Sequence, residues 1–208
     1  MLIHYVPSFI QRFFPHYIWH KSRQEKEIYL TFDDGPVPGV TDYILDELEL
    51  RGMKANFFMV GDNVRKHPAL AREVVMRGHQ VGNHTYHHLN GRRTADTLYF
   101  EDIVNCAQEI QYATGEEVKL FRPPYGQIKS SQGRILREDY SIIMWDVLSG
   151  DYSPALSADR CLKKTQQYSR KGSIIVFHDQ QKTMKKIPQL LPCYLDFVLA
   201  QGYRTSLL

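Results

Sequence analysis

With 208 residues, 43% apolar and 24% charged, the chain has the length and balance of a single soluble-type domain with a sizeable core. Its net charge of +3 arises from scattered Lys and Arg, which excludes the basic stripe of a nucleic-acid binder; the densest basic run, residues 182–186, reads as a solvated loop or helix start. No stretch of 18 apolar residues occurs, so no integral membrane span is expected.

Residues 1–26 read as an N-terminal capping segment. Its first 21 residues are aromatic and mildly amphipathic, but His4, Arg12, His16 and His20 interrupt them and no small-residue cleavage site follows. A cytoplasmic location is the expectation, with non-classical export or association with a membrane surface as the alternatives. Residues 27–208 read as one further domain. Residues 28–32 form an apolar run of strand type, and 40–51 a helix with Ile44, Leu45 and Leu48 on one face and Gly52 as its stop. Next come a strand at 56–60, a helix at 68–77 closed by Gly78, and a short strand at 80–82. The longest helix spans 96–114, with Ile103, Ala107 and Ile110 at helical spacing and Gly115 after it. Strands at 120–121, 141–145 and 173–177 then alternate with helices at 130–137, 158–169 and 187–201, and residues 203–207 end the series as a last strand. Cys106, Cys161 and Cys193 are far apart and odd in number, which predicts idle thiols in a reducing compartment.

Repeated strand–helix units imply a parallel sheet buried on both faces. About seven or eight such units in this length predict an α/β fold built as a (β/α) barrel, complete or not, rather than an open sheet. The unusual polar residues follow the strands: Asp33 and Asp34, then His84, His87 and His88, then Arg122, Asp151, and His178 with Asp179. In a parallel barrel the strand ends share one face, so these distant residues can meet in one pocket.

Two imidazoles at His84 and His88 would lie on one side of a helical turn, a spacing common in metal sites. Thr85 stands where the zinc proteases carry Glu, and the pair alone is weak evidence. A carboxylate from a neighbouring strand end would complete a two-His, one-Asp set suited to zinc or to non-haem iron. Asp33 and Asp34 are ambiguous by themselves, because Gly35 and Pro36 mark a turn that adjacent carboxylates often cap. Adjacent side chains leaving a strand point different ways, so one can ligate a metal while the other faces substrate as a base.

Thr31-Phe32-Asp33-Asp34-Gly35-Pro36, His84-Thr85-Tyr86-His87-His88, Arg122-Pro123-Pro124-Tyr125-Gly126 and Val176-Phe177-His178 together resemble the motifs of NodB-type polysaccharide deacetylases, in order and in spacing. The resemblance runs from about Glu27 to the C-terminus and implies the deformed (β/α) barrel of that family. It also implies hydrolysis of the acetamide of an N-acetylated sugar in a peptidoglycan- or chitin-like polysaccharide or oligosaccharide, with release of acetate. Asp34, His84 and His88 would bind a divalent metal, zinc first, with cobalt or nickel as alternatives. Asp33 would be the general base and Arg122 would hold it. Tyr125 would offer its backbone N–H to the oxyanion, His178 would be the general acid, and Asp151 would orient it. His87 is not expected to be a ligand.

The chain departs from the family where a D-x-x-D-W motif is usual. Leu148 stands for the first Asp and Tyr152 for the Trp, and Val176 replaces a Leu two places before His178. These positions line the acetyl and sugar pockets in the family, so a pocket of different shape and weak or narrow activity on chitin oligomers are expected. Two other readings stand beside the deacetylase: a carbohydrate-binding protein with reduced turnover, and an amidohydrolase acting on another small C–N bond.

Overall fold

The computed structural model describes residues 3–208; the part of the capping-segment expectation that concerns Met1 and Leu2 lies outside the described residues. Strand β1 (Glu27–Asp33) runs through the centre of the domain, between β2 (Asn56–Met59) and β7 (Ile174–His178). With β3 (Gln80–Asn83), β4 (Leu120–Phe121), β5 (Ser141–Ile142) and β6 (Val147–Leu148) it forms a parallel sheet in the order β5-β4-β3-β2-β1-β7-β6. A short β8 (Arg204–Thr205) pairs with the start of β1. The sheet curls into an open barrel, in agreement with the strand–helix alternation of the sequence.

The pleat of β1 divides its side chains between two apolar regions. Ile28, Leu30 and Phe32 face outward, joining Phe57, Met59, Ile175 and Phe177 beneath the helices. Each such burial contributes about 1.5–3 kcal/mol. Tyr29 faces inward, where it meets Phe58, Leu120, Ile143 and Ile174 in a plug that fills the lower barrel. Thr31 and Asp33 continue the inward row above the plug, paired in register with Val176 and His178 of β7. The same alternation that builds the core therefore delivers polar groups to the C-terminal mouth.

The helices pack outside. Helix α2 (Thr41–Leu50) buries Ile44, Leu45 and Leu48, and α4 (Pro68–Met76) begins on a proline that suits a first turn. Helix α5 (Asp96–Thr114) ends at Gly115, whose φ of 82° closes it in the left-handed region. Helices α6 (Ser130–Leu136), α7 (Ala158–Tyr168) and α8 (Ile187–Ala200) complete the layer, the last burying Leu190, Leu191, Tyr194, Leu195 and Val198. Among the described residues, no helix is long and apolar enough to cross a membrane. Cys106 and Cys161 are buried, Cys193 is exposed, and all are free thiols.

Three elements differ from the sequence expectations. Helix α1 (Ser8–Arg12) and α3 (Gly61–Lys66) are short and lack a side-chain cap, so neither has a periodic signature. The single strand expected at 141–145 is instead two, because the chain leaves β5 at one edge of the sheet and enters β6 at the other. The N-terminal segment bridges that opening. The Val6 and Leu148 amides bond across to the Asp146 and His4 carbonyls at 2.9 Å, while the Ile18 and Met144 amides bond to Ile142 and Ile18 carbonyls at 2.9 and 2.8 Å.

Candidate active site

A cavity of about 620 Å³ opens at the C-terminal ends of the strands. Asp33, Asp34, His84, His88, Tyr125 and His178 line it. Arg122 and Asp151 lie buried behind the wall, each bonded to a lining residue. All eight candidate residues are thus in or directly against one cavity, as are the departures at Leu148, Tyr152 and Val176.

Arg122 is wholly buried, which is tolerable only because its donors are occupied. Its guanidinium gives 2.6 Å to Asp33 Oδ1 and 2.7 Å to the Thr31 hydroxyl, and reaches the carbonyls of Ile143 and Met144 at 3.2 and 3.0 Å. Its plane lies 4.1 Å over the Phe58 ring at the top of the plug. Asp33 is held at one carboxylate oxygen; its Oδ2 takes no hydrogen bond from the described residues.

Asp34 leaves β1 with φ of 86°, a left-handed conformation that costs a non-glycine residue about 1 kcal/mol or more. The fold holds it there: Asn63 Nδ2 donates 2.7 Å to its carbonyl, and its amide reaches the Phe58 carbonyl at 3.2 Å. This twist turns the Asp34 side chain toward the two histidines. The histidines do not share a helical turn, contrary to expectation. They sit on a loop after β3 in which Thr85 and His88 both have positive φ, of 61° and 56°. Asp102 of α5 imposes that loop, accepting the Tyr86 and His87 amides at 2.7 and 2.9 Å and the His87 ring at 2.6 Å. The rings of His84 and His88 nevertheless converge, with centroids 5.0 Å apart.

The donor set fits a cation. His84 Nδ1 lies 2.7 Å from the Arg122 carbonyl, which can only accept, so Nδ1 carries the proton and Nε2 of the neutral ring presents a lone pair. That lone pair is 3.5 Å from Asp34 Oδ1, which is buried without a hydrogen-bond partner, and His88 Nε2 stands 3.1 Å from the same oxygen. Ligand atoms of Asp34, His84 and His88 all lie within 4.8 Å of one another. Burial alone would raise the Asp34 carboxyl, but in the metal-free site hydrogen bonds from the His84 and His88 rings in their protonated form, with the charge of His178, hold it well below the usual range. Acceptors converging on one point make a carboxylate–imidazole site for a divalent metal.

His178 closes the other side. Asp151 grips it twice, accepting its backbone amide at 2.8 Å and its Nδ1 at 2.7 Å. Burial disfavours the charged ring, yet Asp151, with Asp34 and Asp33 behind it, lifts His178 to about 9. Tyr152 packs edge-on against the imidazole, with centroids 4.8 Å apart. Tyr125 lies in a tight turn at φ 61°; its amide has no acceptor among the described residues, and its hydroxyl is 3.1 Å from His88 Nδ1.

Sequence reasoning missed three residues of this site. Gln180 Nε2 donates 2.7 Å to Asp34 Oδ2, leaving Oδ1 alone to face the histidines. Asp179, named only as a strand-end neighbour of His178, accepts the Gly35 amide at 2.8 Å and the Thr41 hydroxyl at 2.7 Å; burial pushes its carboxyl up to about 7. Asp102 shapes the histidine loop. The only sequence signal was position: Asp179 and Gln180 directly follow His178.

A profile of the polysaccharide deacetylase family matches residues 20–139. A peptidoglycan-N-acetylglucosamine deacetylase of Bacillus cereus is 34% identical over 163 residues, 78% of this chain and 59% of that protein. A second such enzyme from the same organism is 30% identical over 188 residues, 89% of this chain and 88% of its own length. In structure, a peptidoglycan N-acetylglucosamine deacetylase solved with an N-hydroxybenzamide superposes with a TM-score of 0.85 at 29% identity, covering 97% of this chain and 94% of that one. Profile, identity and fold agree with the motifs and the geometry: the chain belongs to the polysaccharide deacetylase family.

Proposed function

We propose that the chain hydrolyses the acetamide of an N-acetylated sugar within a polysaccharide or oligosaccharide, with residues 27–208 as the catalytic domain and zinc held by Asp34, His84 and His88. The observation that carries this reading is the partnerless, buried Asp34 Oδ1 facing two imidazole nitrogens in the same cavity as Asp33 and His178. Zinc at that point supplies Lewis acidity toward water and the acetyl carbonyl. Every other requirement of the reaction has a candidate in the chain.

Asp33, held at Oδ1 by Arg122, keeps Oδ2 for the proton of the attacking water. The Tyr125 amide is free to donate to the oxygen that becomes negative, and one such donor is worth about 3 kcal/mol in comparable sites. The departing amine needs a proton before the C–N bond breaks. His178, charged through neutral pH because of Asp151, lines the same cavity one strand over from Asp33 and would give it. Products are acetate and a free amino sugar, and Leu148, Tyr152 and Val176 shape the pocket that selects the sugar.

The test is acetate release from peptidoglycan fragments, chito-oligosaccharides and small N-acetyl compounds, before and after chelation and zinc return. Zinc-dependent release from the glycans is expected. A zinc-loaded chain that releases acetate from none of them, while still binding glycan, would make it a carbohydrate-binding protein; release only from small acetamides would make it a different amidohydrolase.

A further inference from the structure

Beside the catalytic cavity lies a second one of about 570 Å³, and the two share Tyr152 and Lys182 as walls. Its lining contains Lys182, Lys185 and Lys186 and no carboxylate. Three lysines lining one space without a carboxylate give it a positive potential that favours an anion. Among the described residues none of the three meets an Asp or Glu, so no carboxylate of the chain neutralises this wall. Asp159, the acid nearest in sequence to the far wall, is engaged by Lys163 at 3.0 Å.

The cationic wall is tied to the catalytic strand. Buried Thr183 donates its hydroxyl to the carbonyls of His178 and Gln180, each at 2.8 Å, which fixes the turn that carries Lys182. Lys186 Nζ is anchored 2.6 Å from the Ser153 carbonyl, just beyond Tyr152. Lys182 and Lys185 remain exposed. A polymer whose reacting sugar sits over Asp34 and His178 would pass Tyr152 and place its neighbouring unit against these lysines.

We propose that Lys182, Lys185 and Lys186 form an anion-binding annex that recognises a carboxylate on the sugar adjoining the one that is deacetylated. The proposal rests on the deacetylase reading for the placement of substrate, and it narrows that reading from N-acetylated glycans in general to carboxylate-bearing ones.

Two ligands of equal length isolate the charge: a tetrasaccharide alternating N-acetylglucosamine and N-acetylmuramic acid, and the same molecule with its carboxyls reduced to alcohols. Affinity is measured by calorimetry on the metal-stripped protein, and kcat/KM on the zinc-loaded protein. The wild-type chain should prefer the anionic ligand. Lys182→Gln and Lys185→Gln should each lower that preference about threefold, and the double variant about tenfold. Raising salt to about 0.5 M should shrink it as well. Equal affinities for the two ligands, or a preference that survives the double variant, would overturn the annex even if both are deacetylated. A preference seen in binding while neither ligand releases acetate would leave the annex standing and overturn the deacetylase instead.

Discussion

Replacing Asp151 by Asn removes the charge that holds a proton on His178 while keeping a side chain of the same shape. In the native site His178 lies at about 9, so at pH 8 about 90% of the rings are charged. Without the Asp151 carboxylate, burial still disfavours the charge, and a ring returned to its ordinary 6.5 would be about 3% charged at the same pH. The supply of general acid then falls about 30-fold at pH 8 and hardly at all at pH 5. Zinc would offset part of the help from Asp34, but not that from Asp151, which bonds the ring directly. The basic limb of the kcat/KM profile should therefore move to lower pH in Asp151→Asn, and proton NMR titration of the imidazole should follow it. The same shift bears on folding. A raised imidazole pKa adds stability to the metal-free chain that is complete below about pH 6.5 and disappears as pH rises through about 9. Asp151→Asn should flatten that decline in denaturant melts. A variant whose basic limb and imidazole titration both coincide with wild type would refute the assignment of His178 as the acid.

Asp33→Asn should retain stoichiometric zinc yet lose about 100- to 10,000-fold in turnover, because an amide cannot take the water proton; zinc content and initial rate on one preparation decide it. Gln180→Leu should weaken zinc binding about tenfold in competition with a chromophoric chelator, since Asp34 Oδ2 loses its donor. The metal-free melting temperature should change little, and an unchanged zinc affinity would count against Gln180. At Gly35 a Cβ would stand 1.8 Å from Asp179 Oδ2, so Gly35→Ala should displace that carboxylate and cost about 1–3 kcal/mol in chemical denaturation, with zinc affinity falling alongside. An alanine variant as stable as wild type would show that the loop tolerates the displacement.

Much of this was legible because it is local. The alternation in β1 sets Ile28, Leu30 and Phe32 against Thr31 and Asp33, and any inward residue at the end of a parallel strand reaches the common mouth. Asp151 was legible only through the motif it belongs to, whereas Gln180 and Asp102 were not legible, because their partners are remote: Gln180 reaches Asp34 across 146 positions, and Asp102 reaches the His87 ring across 15. The histidine spacing misled for a related reason. An interval of four fits a helical turn, but Asp102 draws the Tyr86 and His87 amides to itself and bends the loop through two left-handed residues instead. Strands of two residues, such as β5 and β6, carry too little pattern to separate, and only the closing of the sheet distinguishes them.

The N-terminal bridge across β5 and β6 also bears on how the margins of the sheet are covered. Open parallel sheets end in rows of unpaired amides and carbonyls, ready templates for a neighbouring chain. Here the ribbon through His4, Val6 and Ile18 occupies part of both rows at once. These contacts join residues 4–18 to residues 142–148, a separation of more than 120 positions, so the ribbon can dock only after both edge strands are in place. A chain deprived of the ribbon would still possess the catalytic cavity, but with two bare margins; its characteristic fault would be self-association through sheet edges rather than loss of the active-site geometry.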